Sequence, residues 1–492
     1  MLKNILILCA FLANGYIQAA VVGFNSILYK FKGAQVGFLA MSSKSHQIIA
    51  EHNPNMLLNP ASNVKLVTTL AALELLHPEY RFKTDYYATG PVEHGVLNGN
   101  LVIKGYGDPS ISNERLQSVI RRLKLVGVES IRGELILDDS FFGGEGNPPG
   151  WASEQYSQKI YTAPIGALSL NHNTVSVFIR PAEVGEPAIV VTDPPVDYFK
   201  TKGFIKTTAK GRRPIVGSKD DGLRTEIILN GGIAVGSRPL VVRKKVYQPS
   251  RYFASVFKYF LRQEGIALLG EQYGAGSRRL ILTDTSPMLS QLVAETNKSS
   301  SNFLAEMLVK AIAGQVSEPA RFAVGIEQIT KFLEQKVGFK KGSFILSNGS
   351  GLGTTNRFTA RQFVKLLEYA QKNFELSSEF MASLGVAGTQ GTLSRRMRQE
   401  PTLRSLRAKT GTLRDVSSLS GYVETRGDDP VIFSILVQGK PRVLCRARWF
   451  EDRIGNYLAN LHTDVEPCIS IEEDTIPDDE AIEEEMDNLV GG

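Results

Sequence analysis

The stretch NPASNVKLVTTLAAL, residues 59–73, sets a serine, Ser62, three positions ahead of a lysine, Lys65, at the front of an apolar run. One reading is architectural: Pro60 and Ser62 start a helix whose Val64, Leu66, Val67 and Leu70 face a core. The other is chemical: residues three apart in a helix share a face, so Ser62 and Lys65 form a nucleophile and its base. Both readings need a helix here, and the stretch alone does not choose between them.

Working outward, QVGFLAMSSKSHQIIAEHN (35–53) reads as two strands about a Ser/Lys turn, followed by a helix from Ser62 to Leu76. From about Arg81 to Thr283 the pattern changes to short apolar runs punctuated by Gly, Pro, Asn and Asp, among them NLVIKG, ELILDD, TVSVFIRP, AIVVTD, TEIILN and RRLILTD. That is β-rich construction, with helical interludes at NERLQSVIRRLKLVG and PSRYFASVFKYFLRQEG. Beyond Ser286 three helical stretches return, then strands around LRAKTGTLRDVSSLSGYVET and DPVIFSILVQG, then a last helix near RARWFEDRIGNYLANL. The pattern predicts an α/β (α+β) chain whose main domain is split into residues 21–80 and 285–462. Strands from both ends would join one antiparallel sheet flanked by helices. A β-rich domain (81–165 and 240–284) interrupts it and carries a second, nested β-rich insert (166–239).

Composition fits a globular protein, with 42% hydrophobic and 22% charged residues in 492. The first twenty residues differ. Lys3, the apolar ILILCAFLANGYI and the small Ala19 and Ala20 predict a secretory signal, too short to span a membrane comfortably. Its removal takes Cys9 and leaves Cys445 and Cys468, read as free thiols because two cysteines make no disulfide framework. The net charge of +6 conceals an asymmetry. Twelve acidic residues and no Lys or Arg lie between Asp464 and Gly492, leaving 56 basic against 38 acidic side chains on the rest. The segment 463–492 reads as a disordered, self-repelling tail. The basic body suits an anionic wall polymer or membrane surface, and its dispersed charge argues against nucleic acid.

A Ser-x-x-Lys recurs by chance in a chain this long; Ser255-Val256-Phe257-Lys258 repeats it between helix aromatics and reads as core packing with an exposed lysine. What distinguishes Ser62 is its company. Ser300-Ser301-Asn302 stands at a loop–helix junction, and Lys409-Thr410-Gly411-Thr412 lies in an alternating, strand-like segment. Ser-x-x-Lys, Ser-x-Asn and Lys-Thr-Gly in this order are the motif set of penicillin-binding proteins and class A β-lactamases, with Ser301 here where that set has Asp. The chemistry is coherent. Lys65, desolvated and near the second cation Lys409, can be neutral and take the Ser62 proton. Ser300 can relay a proton to the leaving nitrogen and Asn302 can hold a peptide amide. Lys409 and Thr410 suit a terminal carboxylate, and Gly411 admits a substrate strand to the sheet edge. Backbone N–H groups of Ser62 and Thr412 would form the oxyanion hole.

With these motifs the chain resembles the low-molecular-weight class C penicillin-binding proteins, the D-alanyl-D-alanine carboxypeptidase/endopeptidase family. GYGDPS from Gly105, GELILDDSFF from Gly133, NGSGL from Asn348, GTQGTL from Gly388 and SLSGYVET add to the likeness, which runs to about Leu461. The resemblance implies a penicillin-recognising transpeptidase-like fold with two inserted domains. It also implies a periplasmic hydrolase acting on peptidoglycan stem peptides through an acyl-serine, β-lactam antibiotics that acylate the same serine, and no cofactor. It further implies that an aromatic and an acidic residue of the insertion recognise the amino group on the substrate's D-centre; Trp151 and Glu154 match, with Tyr156 nearby. A Ser/His/Asp enzyme is disfavoured because no G-x-S-x-G frames a serine, and a metallopeptidase because no H-E-x-x-H occurs. A β-lactamase and a non-catalytic wall-binding scaffold are the remaining rivals. The long insertion disfavours the former, and the presence of Ser62, Lys65 and Lys409 together disfavours the latter.

Overall fold

The computed structural model describes residues 33–151, 157–274, 276–427, 429–444, 446–461 and 469–470. The signal-like segment with Cys9, Glu154, Tyr156, Cys445, Cys468 and the tail beyond Ser470 lie outside these residues.

The chain is a mixed α/β protein built on a seven-stranded sheet. Its order is Gly385–Val386, Leu406–Leu413, Val416–Val423, Val431–Gly439, Ala34–Ser42, Ile48–His52 and Ile469–Ser470. An early and a late strand of the chain meet at its centre, where Ala34–Ser42 runs antiparallel to Val431–Gly439 from Ala34↔Gly439 to Ser42↔Val431. Successive side chains of a strand point to opposite faces, and here both faces are covered. Tyr422, Ile432 and Leu436 meet the helices Val64–Leu76, Leu289–Ser299 and Ala360–Lys372 on one side. Leu419, Val423, Phe433 and Ile435 meet the helix Ala447–Ala459 on the other. Within the expected tail, Ile469–Ser470 adds a short parallel strand beside Ala50–Glu51.

Helix Val64–Leu76 is buried nearly all round, as its almost uniformly apolar sequence demands. Lys65 is the exception in kind: a lysine amine with no exposed surface inside a core helix. The helical stretch 288–313 is two helices, Leu289–Ser299 and Asn302–Gly314, divided at the loop–helix junction expected around Ser300–Asn302. Ser300 breaks it in a left-handed conformation (φ 57°), and the Ser301 hydroxyl caps the second helix by accepting from Leu304 N.

The interval between contains two four-stranded sheets, one ordered Arg279–Thr285, Lys83–Ala88, Leu101–Gly105, Leu135–Asp138, with helices Asn113–Leu125 and Pro249–Gln263 packed alongside. Farther along are three-stranded sheets centred on Thr174–Arg180 and Thr225–Asn230. Apolar residues of all these elements belong to one contiguous core. Ser255 and Lys258 sit on Pro249–Gln263 with Val256 and Phe257 buried and Lys258 exposed, as packing alone requires.

Because Phe433 is fully buried on the face away from the Val64–Leu76 helix, Phe433→Ala should lower unfolding free energy by about 3–5 kcal/mol. A urea titration checks this; an unchanged midpoint would contradict the two-sided packing.

Candidate active site

Ser62 lies in a single 3-10 turn, Ala61–Asn63, directly ahead of the Val64–Leu76 helix. The helix therefore begins after Ser62, and no side chain caps it. The reason is local competition: the Asn63 amide donates to Ser420 Oγ at 2.7 Å, and Ser62 Oγ is engaged by Lys65 Nζ at 2.9 Å. The turn is held from several sides. Ala61 sits at φ 47°, a costly conformation for a residue with a side chain, while its N–H donates to Asn59 Oδ1 (2.9 Å) and Pro60 O accepts from Ser418 Oγ (2.8 Å). A Cβ on Gly351 would lie 1.8 Å from Ala61 O, so the loop behind the turn needs glycine there.

Lys65 Nζ has three oxygen neighbours: Ser62 Oγ at 2.9 Å, Asn302 Oδ1 at 2.7 Å and the Ser350 carbonyl at 2.6 Å. The Asn302 amide nitrogen donates to the Tyr161 carbonyl at 3.1 Å, which fixes Oδ1 toward Lys65. Burial pushes the Lys65 pKa well below the ordinary lysine value; the nearby Lys409 charge adds to this and Glu306 opposes it. A neutral amine keeps two N–H donors and one lone pair. The two carbonyl oxygens can only accept, so the lone pair falls to the partner that can donate, the Ser62 hydroxyl. The geometry thus aims a base at Ser62.

Lys409 Nζ donates to Ser300 Oγ (2.8 Å) and to the Thr410 carbonyl (2.7 Å), and burial holds its pKa down at about 7. The left-handed turn at Ser300 lets one short segment serve both lysines, Ser300 on Lys409 and Asn302 on Lys65. Gly411 packs against the nucleophile's turn: a Cβ there would lie 2.2 Å from Ser418 Oγ and 3.0 Å from Ser62 N. Thr410 Oγ1 donates to Thr392 Oγ1 at 2.7 Å, and Thr412 is exposed. The strand Leu406–Leu413 pairs with Gly385–Val386 only at Arg407 and Ala408. Among the described residues no strand pairs with its outer edge from Lys409 onward, which leaves backbone groups for an extended ligand.

Trp151 is 2% exposed and its indole N–H donates to Ser350 Oγ at 3.3 Å, which places it against the loop whose carbonyl receives Lys65. Glu306 is a residue that sequence reasoning missed. One helical turn beyond Asn302 and fully buried, it accepts Gly349 N at 3.1 Å and Ser350 N at 2.9 Å. Burial pushes its pKa up, and the Ser350 and Gly349 donors together with Lys65 pull it back. Its signal was an acid four residues after Asn302 in the otherwise apolar NFLAEML. Asn348 organises the same loop: Oδ1 accepts Gly351 N (2.9 Å), and Nδ2 donates to the Pro149 and Leu352 carbonyls. His172, one of the six histidines, stacks on Phe303 and lies 3.5 Å from Glu295.

A serine in hydrogen-bond contact with a buried lysine, beside a second buried lysine on a strand of the main sheet, fits a serine acyl-transfer enzyme of the penicillin-recognising class. The chain belongs to the D-Ala-D-Ala carboxypeptidase 3 (S13) family, whose model matches residues 25–448, and is therefore a serine-type D-Ala-D-Ala carboxypeptidase. It is 28% identical over 420 residues to the D-alanyl-D-alanine carboxypeptidase DacB of Haemophilus influenzae, covering 83% of this chain and 86% of that one. It is 30% identical over 428 residues to a D-alanyl-D-alanine carboxypeptidase of an Actinomadura species, covering 83% and 78%. The crystal structure of penicillin binding protein 4 (dacB) from Haemophilus influenzae superposes with a TM-score of 0.74 at 26% identity, over 89% of this chain and 99% of that one.

Glu306→Gln keeps the shape but leaves one backbone N–H of the Gly349–Ser350 loop facing an amide donor, and it removes the charge that raises the Lys65 pKa. The acid limb of the acylation–pH profile should therefore move to lower pH, followed by stopped-flow acylation. A limb that stays in place would show that Lys65 does not sense Glu306.

Proposed function

We propose that this chain hydrolyses the terminal D-Ala–D-Ala bond of peptidoglycan stem peptides, and the equivalent D-amino-acid cross-link, through an acyl-Ser62 intermediate. The observation that carries this reading is the set of oxygen partners around Lys65, which leaves its lone pair one proton to take. Ser62 Oγ attacks the carbonyl carbon of the penultimate D-Ala as its proton passes to Lys65. Negative charge gathers on the carbonyl oxygen, where the Ser62 and Thr412 N–H groups act as donors, each worth about 3–4 kcal/mol in comparable sites. The C–N bond then breaks, and the leaving D-Ala nitrogen takes a proton from Lys65 or through the Ser300 hydroxyl. Water, deprotonated by the same amine, attacks the ester, and Ser62 recovers its proton.

Lys409 and Thr410 bind the terminal carboxylate, supplying the counter-charge that Lys409 lacks in the free enzyme. Asn302 holds the substrate amide, and Gly411 allows the substrate strand to lie along the sheet edge. β-Lactams acylate Ser62 in place of substrate. The protein acts in the periplasm, exported by its first twenty residues and associated with the cell wall. Residues 81–284 form the two inserted domains, from which Glu154 meets the amino group of the substrate's D-centre while Trp151 acts beneath the loop.

A fluorescent penicillin should label the wild type and not Ser62→Ala, and Lys65→Ala should slow labelling on the order of 10²–10⁴-fold. Labelling of Ser62→Ala would remove the assignment, and mass analysis of digested muropeptides should find release of D-Ala.

Because Lys409 has a pKa near 7 when free and a higher one beside a bound carboxylate, binding above that pH requires proton uptake. KM for a stem pentapeptide should accordingly be lowest below about pH 7 and rise by up to about tenfold per pH unit above it. A KM flat from pH 6 to 9 would show that Lys409 does not carry the carboxylate.

A further inference from the structure

The nested insert has a surface that the peptidase reaction does not use. In the sheet formed by Ile189–Asp193, Thr174–Arg180 and Leu240–Lys245, Val175, Val177 and Ile179 point into the core. The opposite face carries an exposed apolar patch, flanked by Arg180, Asp193 and Arg243. Phe178 is 41% exposed, and the residues opposite it on the two neighbouring strands, Val191 and Val241, are 47% and 49% exposed. Ile189 continues the face, and Phe204 extends its margin where Ala188 N donates to Ile205 O. Three large apolar side chains in cross-strand register on a solvent face are unusual for a protein that leaves them uncovered.

The chain that follows this face is rich in basic residues, while Glu183, Glu186, Asp193 and Asp197 lie on or beside the face itself. Between Tyr198 and Lys245 there are twelve Lys and Arg against three Asp and Glu. Lys202, Lys206, Lys210, Arg212, Arg213 and Arg238 are exposed, and none pairs with a carboxylate among the described residues. The complementary chemistry exists in the same chain. Residues 471–492, IEEDTIPDDEAIEEEMDNLVGG, contain ten acidic residues, no Lys or Arg, and apolar side chains at Ile476, Ile482, Met486 and Leu489. Fully extended, that segment reaches about 70 Å beyond Ser470. A compact chain of this size has a radius of gyration of only about 23 Å, so reach is not limiting.

We propose that the acidic segment 471–492 docks on the nested insert, its carboxylates on the lysines and arginines between 200 and 238 and its apolar residues over Phe178, Val191 and Val241. Tethering makes the effective concentration high, on the order of millimolar, so weak contacts suffice. The docked segment screens these basic residues from anionic polymers, and raised ionic strength releases it.

The test is carbodiimide coupling of the exported chain at low salt, with cross-linked peptides mapped by mass spectrometry. Carboxylates of 471–492 should couple to lysines between 200 and 219 within one molecule, and the yield should fall about tenfold in 0.5 M salt. Arg212→Glu/Arg213→Glu leaves those lysines available yet should lower coupling about fivefold, with penicillin labelling unchanged. Coupling scattered over the whole body, confined to pairs of molecules, or indifferent to salt would overturn the proposal. Equal binding to phosphatidylglycerol vesicles by the full chain and by a chain ending at Ser470, without intramolecular coupling, would assign the face to a membrane instead.

Discussion

The site depends on one buried amine. Lys65 has no exposed surface, and a lysine cation taken out of water is costly unless it is fully paired. Its immediate partners are one hydroxyl and two carbonyl oxygens, none of them charged, while the nearest charges are Lys409 against it and Glu306 for it. The protein thereby favours the neutral form and, with it, a base pointed at the nucleophile. The strand edge, the Ser300 turn and the Gly349–Ser350 loop are arranged so that this amine keeps these neighbours.

The loop at 348–352 shows how much support such an arrangement takes. Glu306 binds its backbone N–H groups from one side, Asn348 folds it on itself, and Trp151 and the Pro149 carbonyl reach it from the inserted region. Tyr161, also from that region, orients Asn302. The insertion is therefore part of the machinery that positions Lys65 as well as a platform attached to it. Lys310, two turns beyond Asn302 on the same helix, continues the link by donating to the Phe142 and Ala320 carbonyls and pairing with Glu145.

Away from the site, the insertion carries an excess of positive charge between Tyr198 and Lys245, beside strands that present an exposed apolar patch. Positive charge on a solvent-facing edge deters strand pairing between molecules. It also makes an attachment surface for acidic partners, one of which is encoded at the end of this same chain.

The sequence by itself determined the motifs, the β-rich interval, the helices on either side of it and the joining of both termini in one sheet. These are written in local periodicity and in residue types whose chemistry is distinctive wherever they fall. Tertiary structure alone decided that Ser62 precedes its helix, that the one segment at the Ser300 junction serves two lysines, and that Trp151 lies beneath a loop. It also decided that Glu306 belongs to the site. The physical reason is that a side chain's burial, and hence its charge, is set by neighbours hundreds of residues away. A lysine in a core helix reads as a lysine until carbonyls from Asn302 and Ser350 and the nearby cation of Lys409 make its neutral form the stable one.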